Sequence, residues 1–240
     1  MKKIIIIISM VLAGTAVFAQ DNKSDKKGVS DQVKNKVNKA KDRILLEFSL
    51  SQLLNKPSDL KVSGFSRGFN AYFTYDVVLG KSHFSIAPGA GIGTDNFYHK
   101  HNSISWHQDT VTTFPVIGDS ISVKKSKLGL TYFDIPLEFR FRSKPNKKKT
   151  SWKLAAGFKV GFLLASKWKY KGDALDGSGE SVKFKDFGVD NLNKIRYGVY
   201  LRGGYGLVNL FCYYSISSLF QKDKGPQMHP LTFGVAITGL

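Results

Sequence analysis

Apolar and polar residues alternate in a series of short segments from Arg43 to the end of the chain. In the last segment, one face would carry Leu231, Phe233, Val235 and Ile237. The opposite face would carry only small or polar side chains. A period of two is typical of a β-strand, and an apolar face repeated over several strands is typical of a barrel in lipid. We therefore expect a membrane barrel rather than the core of a soluble enzyme.

The alternation predicts eight strands, an even number that suits a closed single-chain barrel. Their expected ranges are residues 43–54, 66–79, 82–98, 127–142, 151–169, 194–204, 206–218 and 230–240. Long connections alternate with short ones along the chain. The long connections are residues 55–65, 99–126, 170–193 and 219–229. Because outer-membrane barrels combine long extracellular loops with short periplasmic turns, the predicted fold is all-β. It is an eight-stranded antiparallel up-and-down transmembrane β-barrel over residues 43–240.

The N-terminus has the layout of a secretory signal. Two lysines precede an apolar run, and small residues ending at Ala19 would suit cleavage before Gln20. The apolar run is too short to cross a membrane comfortably as a helix. We therefore predict a signal peptide over residues 1–19 and a charged periplasmic linker over residues 20–42. A weak amphipathic helix in the linker is the alternative, because its few apolar residues recur close to helical spacing.

The chain is strongly basic, with 36 Lys and Arg residues against 18 Asp and Glu residues and a formal charge of +18. Such an excess favours anionic partners. Outer-membrane lipids, anionic envelope polymers and acidic periplasmic or secretion partners fit the predicted compartment, whereas the signal peptide argues against nucleic acid. Cys212 is the only cysteine. An intramolecular disulfide and a cysteine-based zinc site are therefore excluded.

Ionisable side chains occupy the faces opposite the apolar rows. A charge at the middle of a bilayer costs roughly 2–4 kcal/mol, so these side chains must point into the barrel. The predicted lumen charges are Glu47, Asp76, Asp134, Glu138, Arg140, Lys153, Lys159, Arg196 and Arg202. Buried charges need partners, and an eight-stranded barrel is only wide enough for side chains. We therefore expect a network of ion pairs that fills the lumen instead of a water-filled pore.

Glycine recurs at every second position over residues 89–93. A phosphate-binding loop would need glycines between a strand and a helix, but these glycines lie within a predicted strand. Inward small residues that relieve crowding in the lumen are the better interpretation.

Aromatic residues near the strand ends predict girdles at the two membrane interfaces. They are Tyr75, Tyr98, Phe141, Trp152, Trp168, Tyr170 and Tyr214. The alternative is that aromatic residues favour strands in general.

Three segments together resemble a known family. They are Arg67–Asp76, Tyr132–Arg140 with its IPLEFR sequence, and Pro230–Val235. These segments resemble small bacterial outer-membrane β-barrel domain proteins, the porin-like and PorT-like group. The resemblance covers about residues 43–240. It implies a barrel and its membrane, and it supplies no catalytic residues.

Polar residues in the long connections offer weak candidates for chemistry. A metal site or hydrolase set could be imagined from Ser103, His99, His101, His107 and Asp109, and a calcium loop from Asp173, Asp176 and Glu180. No spacing fixes a complete ligand set or a catalytic triad. We therefore predict no catalytic, metal-binding or cofactor-binding residues, and no cofactor.

Basic residues also cluster around the short connection near residue 145. They are Arg142, Lys144, Lys147, Lys148 and Lys149. A solvated hairpin tip is one interpretation, and a patch for an anionic partner or lipid phosphate is the other.

The sequence leaves three functions open. The first is a non-enzymatic outer-membrane barrel that acts as an envelope anchor or interaction protein. The second is a small porin or a transport- or secretion-associated barrel whose inward basic residues attract anions. The third is an outer-membrane lipid or peptide hydrolase, which would need a Ser, His and carboxylate to converge at the outer rim.

Overall fold

Ten β-strands make up the regular structure of the described residues in a computed structural model of the protein. The structure describes residues 43–63, 66–80, 82–99, 101–105, 110–118, 120–144 and 150–239. The strands are β1 (Ile44–Leu54), β2 (Ser66–Thr74), β3 (Val77–Val78), β4 (Phe84–Tyr98), β5 (Val123–Arg142), β6 (Trp152–Asp173), β7 (Ser181–Phe187), β8 (Ile195–Tyr205), β9 (Val208–Ser215) and β10 (His229–Thr238). In these ranges, no helix has the length and apolar composition needed to cross a membrane. The predicted signal peptide and linker lie outside the described residues.

Eight of the strands close into an antiparallel barrel, which confirms the predicted fold class. Going round the barrel, the order is β1, β2, β4, β5, β6, β8, β9, β10 and back to β1. Phe48 of β1 pairs with Val235 of β10, and Phe69 of β2 pairs with Thr94 of β4. Closure gives every barrel strand two neighbours, so no unpaired edge faces the bilayer.

The predicted alternation holds along the barrel strands. In β5, Phe133, Leu137 and Phe139 are exposed on the outside, whereas Asp134 and Glu138 are buried inside. A water-soluble protein rarely exposes so continuous an apolar surface. In lipid, the same surface is solvated by acyl chains, and the closed ladder satisfies the backbone.

One strand was missed by the sequence prediction. β6 runs on to Asp173, and β7 pairs with this extension inside the predicted long connection 170–193. Val182 and Phe184 of β7 pack against the interior cluster, and the rings of Phe184 and Tyr170 stack with centroids 5.3 Å apart. β7 is short, and charged residues recur along it at every second position, so its sequence resembles that of a solvated loop.

The two ends of the barrel differ in construction. At the end with the long loops, a cluster of buried apolar residues fills the interior, including Phe97, Leu128, Tyr170, Phe220 and Met228. Trp168 belongs to this cluster as well, so the prediction that Trp168 and Tyr170 form part of an interfacial girdle is wrong. They point inward because a register shift between β5 and β6 inserts one extra residue near Leu164, which reverses the faces of the β6 residues that follow. At the end with the short turns, Trp152 and Tyr205 lie exposed on the outside and contact each other edge to face.

Candidate functional site

The centre of the lumen holds a three-residue ion-pair cluster. The guanidinium of Arg196 donates to Asp134 through Nη2 at 2.7 Å and Nε at 3.1 Å, and through Nη1 to Asp95 at 2.5 Å. The hydroxyl of Tyr72 also donates to Asp134, at 2.9 Å. The guanidinium lies 3.9 Å from the ring centroid of Tyr132. These side chains come from β2, β4, β5 and β8, so the cluster ties opposite walls of the barrel together.

A second cluster lies nearer the short-turn end. Arg140 and Arg202 both donate to Oε2 of Glu138 at 2.6 Å. Arg140 also donates to Asp76 at 2.6 Å, and Arg142 pairs with the other oxygen of the same carboxylate. All five side chains are buried. Such charge-assisted bonds are among the strongest polar contacts in proteins.

The remaining predicted lumen charges are held mainly by polar and aromatic side chains. Glu47 accepts hydrogen bonds from the hydroxyl of Tyr200 at 2.6 Å and the amide of Asn70 at 2.8 Å. The ammonium of Lys159 donates to Tyr72 at 3.1 Å and lies 4.0 Å from the ring centroid of Tyr213. Lys153 donates to the hydroxyl of Thr238 at 3.1 Å.

Glycine makes room for the central cluster. A Cβ atom at Gly93 would lie 2.5 Å from Oδ2 of Asp134 and 2.8 Å from Nη2 of Arg196. At Gly161, on the other side of the pair, it would be closer still to the Asp134 carboxylate. Any side chain here would push the pair apart. The alternate glycines of β4 therefore relieve crowding in the lumen, as the sequence indicated for residues 89–93.

The structure buries every predicted lumen charge inside the barrel. They are Glu47, Asp76, Asp134, Glu138, Arg140, Lys153, Lys159, Arg196 and Arg202. The prediction omitted Asp95, although it follows Gly93 on the inward row of β4. The prediction also placed Arg142 in the basic patch. In the structure its side chain is buried in the lumen, where it pairs with Asp76. Lys144 is exposed at the turn. Lys147, Lys148 and Lys149 lie outside the described residues.

The long loops are linked to one another above the apolar cluster; we name them together the lid. Asn102 is fully buried and joins the second loop to the first. Its amide nitrogen donates to the backbone carbonyl oxygen of Asp59, and its amide oxygen accepts from the backbone N–H of Lys61. Thr112 joins the second loop to the fourth through the carbonyl of Lys224, and to the third through the carbonyl of Asp190. The lid is therefore a packed layer across this end of the lumen.

His99 belongs to the lid and is 1% exposed. Its Nδ1 lies 2.9 Å from the carbonyl oxygen of Asn102, and its Nε2 is buried without a hydrogen-bond partner among the described residues. Burial disfavours the imidazolium and lowers the pKa of His99 to about 4. The histidine is therefore neutral at pH 7.

The weak candidates for chemistry do not come together in the described residues. His101 is exposed while His99 is buried, and the hydroxyl of Ser103 donates to the carbonyl of Pro115 at 3.5 Å. Asp176 lies in an exposed turn, where the backbone N–H of Ser178 donates to its carboxylate and lowers its pKa. In this part of the chain, no group of three or more His, Cys, Asp or Glu residues could hold a metal ion. His107 and Asp109 lie outside the described residues.

The interior leaves little space for a solute. Two cavities among the described residues each measure about 10 Å³, one beside Arg196 and one beside Arg202. A volume of this size holds about one water molecule. Beside Arg196 and beside Arg202, side chains therefore occupy the region where a porin would have a channel.

The sequence matches a known protein family over most of its length. Residues 18–221 match the family described as outer membrane protein beta-barrel domain. A solved structure of Ail, the attachment invasion locus protein of Yersinia pestis, in complex with the heparin analogue sucrose octasulfate, is 14% identical, with a TM-score of 0.37, covering 83% of this chain and 97% of that chain. A second Ail structure is 13% identical, with a TM-score of 0.36 and the same coverage. No curated protein matches the sequence. The family match spans most of the chain, and the chain therefore belongs to the outer membrane protein β-barrel domain family.

Proposed function

We propose that this protein is a non-conducting, non-enzymatic outer-membrane barrel that anchors the lid at the cell surface as an interaction platform. One observation carries the proposal: paired charges cross the lumen from wall to wall under a packed apolar lid. Arg196 on β8 pairs with Asp134 and Asp95 on the adjacent strands β5 and β4, so these ion pairs cross from β8 to another part of the barrel wall. An ion crossing the lumen would have to displace these pairs, and exposing buried charges without partners is costly.

The proposal includes an orientation in the membrane. The long loops face outward and the short turns face the periplasm, as is usual for bacterial barrels. The leader over residues 1–19 would direct export and be removed, and the linker over residues 20–42 would remain in the periplasm. Outer-membrane lipids are then the first partners of the apolar outer face. Anionic envelope polymers and periplasmic or secretion partners are further candidates for the loops and for Lys144 at the periplasmic turn.

Conductance of the reconstituted protein tests the sealed lumen. The purified barrel, inserted into planar bilayers, should give no discrete current steps above those of a protein-free bilayer, whereas a wide porin measured in parallel should conduct. Heat-dependent gel mobility of the same sample would show that the barrel is folded. Stable, reproducible channels in a folded sample would overturn the proposal in favour of a small porin.

A further inference from the structure

Seven lysines share one outward face where β5, β6 and β7 extend beyond the barrel wall; we name it the lysine face. They are Lys125, Lys127, Lys167, Lys169, Lys171, Lys183 and Lys185. The opposite face of the same three strands is buried, and it includes Ser126, Leu128, Trp168 and Tyr170. The alternation of the strands thus directs all seven lysines away from the buried apolar cluster and toward the surroundings.

The register places the lysines directly opposite one another. One row across the three strands consists of Lys125, Lys171 and Lys183, and the next consists of Lys127, Lys169 and Lys185. Directly paired residues have Cβ atoms about 4.5–5.5 Å apart, and like charges in such pairs are destabilising. The ion pairs of the described residues include none of these seven lysines, and Lys127 donates at 2.6 Å to the amide oxygen of Asn96, which is uncharged. Their charge is therefore left for an external anion to neutralise.

The lumen does not account for the basic excess of the chain. Its buried ionisable side chains are Glu47, Asp76, Asp95, Asp134, Glu138, Arg140, Arg142, Lys153, Lys159, Arg196 and Arg202. These five carboxylates and six basic groups come close to neutralising one another, while the formal charge of the chain is +18. The lysine face is a dense exposed part of this excess.

The lysine face begins where the apolar surface of β6 ends. The outward residues of β6 are apolar from Trp152 to Leu164, and Lys167 is the first outward charge beyond them. The twelve steps from Trp152 to Leu164, at about 3.3 Å each, span about 40 Å along the strand. With a tilt of roughly 40°, this corresponds to about 30 Å across the membrane, the thickness of the hydrocarbon layer. The first lysines therefore lie at the level of the lipid headgroups.

We propose that the lysine face binds the phosphate groups of anionic lipids in the outer leaflet. The proposal rests on the orientation given above, which puts the long-loop end outside. Position favours lipid over a soluble polyanion: the lysines continue the lipid-facing surface of β5 and β6, whereas a polymer-binding site would be expected on top of the lid. Tyr98 supports the arrangement from the neighbouring strand, with its ring centroid 5.7 Å from the ammonium of Lys125 and 5.5 Å from that of Lys127.

Electron paramagnetic resonance of spin-labelled lipids tests the proposal. The full-length protein is reconstituted in phosphatidylcholine vesicles containing a trace of spin-labelled phosphatidic acid or spin-labelled phosphatidylcholine, and the motion-restricted fraction is compared. We expect about a fivefold preference for phosphatidic acid, the factor expected for one lysine near an anionic surface. The preference should vanish in about 1 M salt, where the Debye length falls to about 3 Å.

A matched pair of variants locates the site. The variant K127Q/K169Q/K171Q/K185Q should lose most of the preference. The control K56Q/K61Q/K222Q/K224Q removes the same charge from loops at the same end and should keep it. Equal preference in the two variants would overturn the proposal, as would binding of soluble dextran sulfate without any lipid preference. If the first variant does not fold, a salt-insensitive preference in the unmodified protein would be the contradicting result. Current steps from the same protein in planar bilayers would contradict the sealed lumen but not the lipid-binding role of the lysine face.

Discussion

Replacing Asp134 by asparagine tests the central ion-pair cluster. Asp134 is fully buried and accepts hydrogen bonds from Arg196 and Tyr72. The amide keeps the shape of the side chain but removes its charge, so Arg196 is left with Asp95 as its only carboxylate partner in the described network. Removing one partner of a buried ion pair typically costs about 3–5 kcal/mol. Because Asp95 remains 2.5 Å from the guanidinium, we expect the lower end, about 3 kcal/mol.

Equilibrium unfolding measures this loss. The protein in detergent micelles is titrated with urea, and tryptophan fluorescence reports the transition. Asp190→Asn is the matched control, because Asp190 is exposed in a loop, and surface substitutions usually change stability by no more than about 0.5 kcal/mol. If Asp134→Asn and Asp190→Asn have the same effect on the free energy of unfolding, the account of the lumen is wrong.

The double variant D134N/R196M separates the pair from its surroundings. Arg196→Met alone leaves both Asp134 and Asp95 buried without their guanidinium, so it should destabilise more than Asp134→Asn. In the double variant one of these uncompensated charges is gone. Residues in one ion-pair network commonly show coupling energies of about 0.5–3 kcal/mol. The losses of unfolding free energy in the two single variants, added together, should therefore exceed the loss measured for the double variant. Strict additivity would show that the two residues do not interact.

Two further predictions concern the space around the pair and the lid. Gly93→Ala should lower the free energy of unfolding by about 1–3 kcal/mol, the usual cost of overpacking, because the new Cβ would meet Asp134 and Arg196. The control Gly118→Ala should leave the free energy of unfolding unchanged, because its Cβ would meet no atom closer than 3.8 Å. Equal urea midpoints for the two variants would refute this reasoning. The neutral state of His99, with its pKa lowered to about 4 by burial, should stabilise the lid fully above pH 6.5, and this stability should be lost as the pH falls from 6.5 toward 4, because the unfolded lid binds the proton more readily. The loss is on the order of 3 kcal/mol. The protection of the lid amides against hydrogen exchange, expressed relative to the unfolded-chain rate at each pH, should fall over this range in the unmodified protein and in His101→Gln but not in His99→Gln. A fall in His99→Gln as large as that in the unmodified protein would contradict the assignment.

The sequence was sufficient for the barrel because side-chain parity determines which residues face lipid. The same parity assigned the buried charges of β5, β6 and β8 to the lumen. It could not assign their partners: Arg196 and Asp95 are far apart in sequence, and their contact depends on how far the strands are staggered round the barrel.

The lid and the lysine face were not predicted for a different physical reason. Asn102 and Thr112 link loops through single hydrogen bonds that leave no periodic pattern in the sequence. In β7, alternating lysines have the composition of a solvated loop, and only the buried side chains of Val182 and Phe184 identify a strand. Arg142 was misplaced because it ends β5 beside a basic turn, where sequence proximity gave no sign of Asp76.

The central claim is that lipid surrounds the apolar face while the ionic groups lie inside. The accessibility of a spin label at Cys212 to oxygen and to a water-soluble reagent tests this claim most directly. Cys212 is the only cysteine and lies exposed on the outer face of β9. A nitroxide attached to it in reconstituted membranes should collide often with oxygen and rarely with a water-soluble nickel complex. A label at Asp190→Cys in a Cys212→Ser background should show the reverse. If the Cys212 label is as accessible to the nickel complex as the loop label, the apolar face does not lie in lipid, and the account fails.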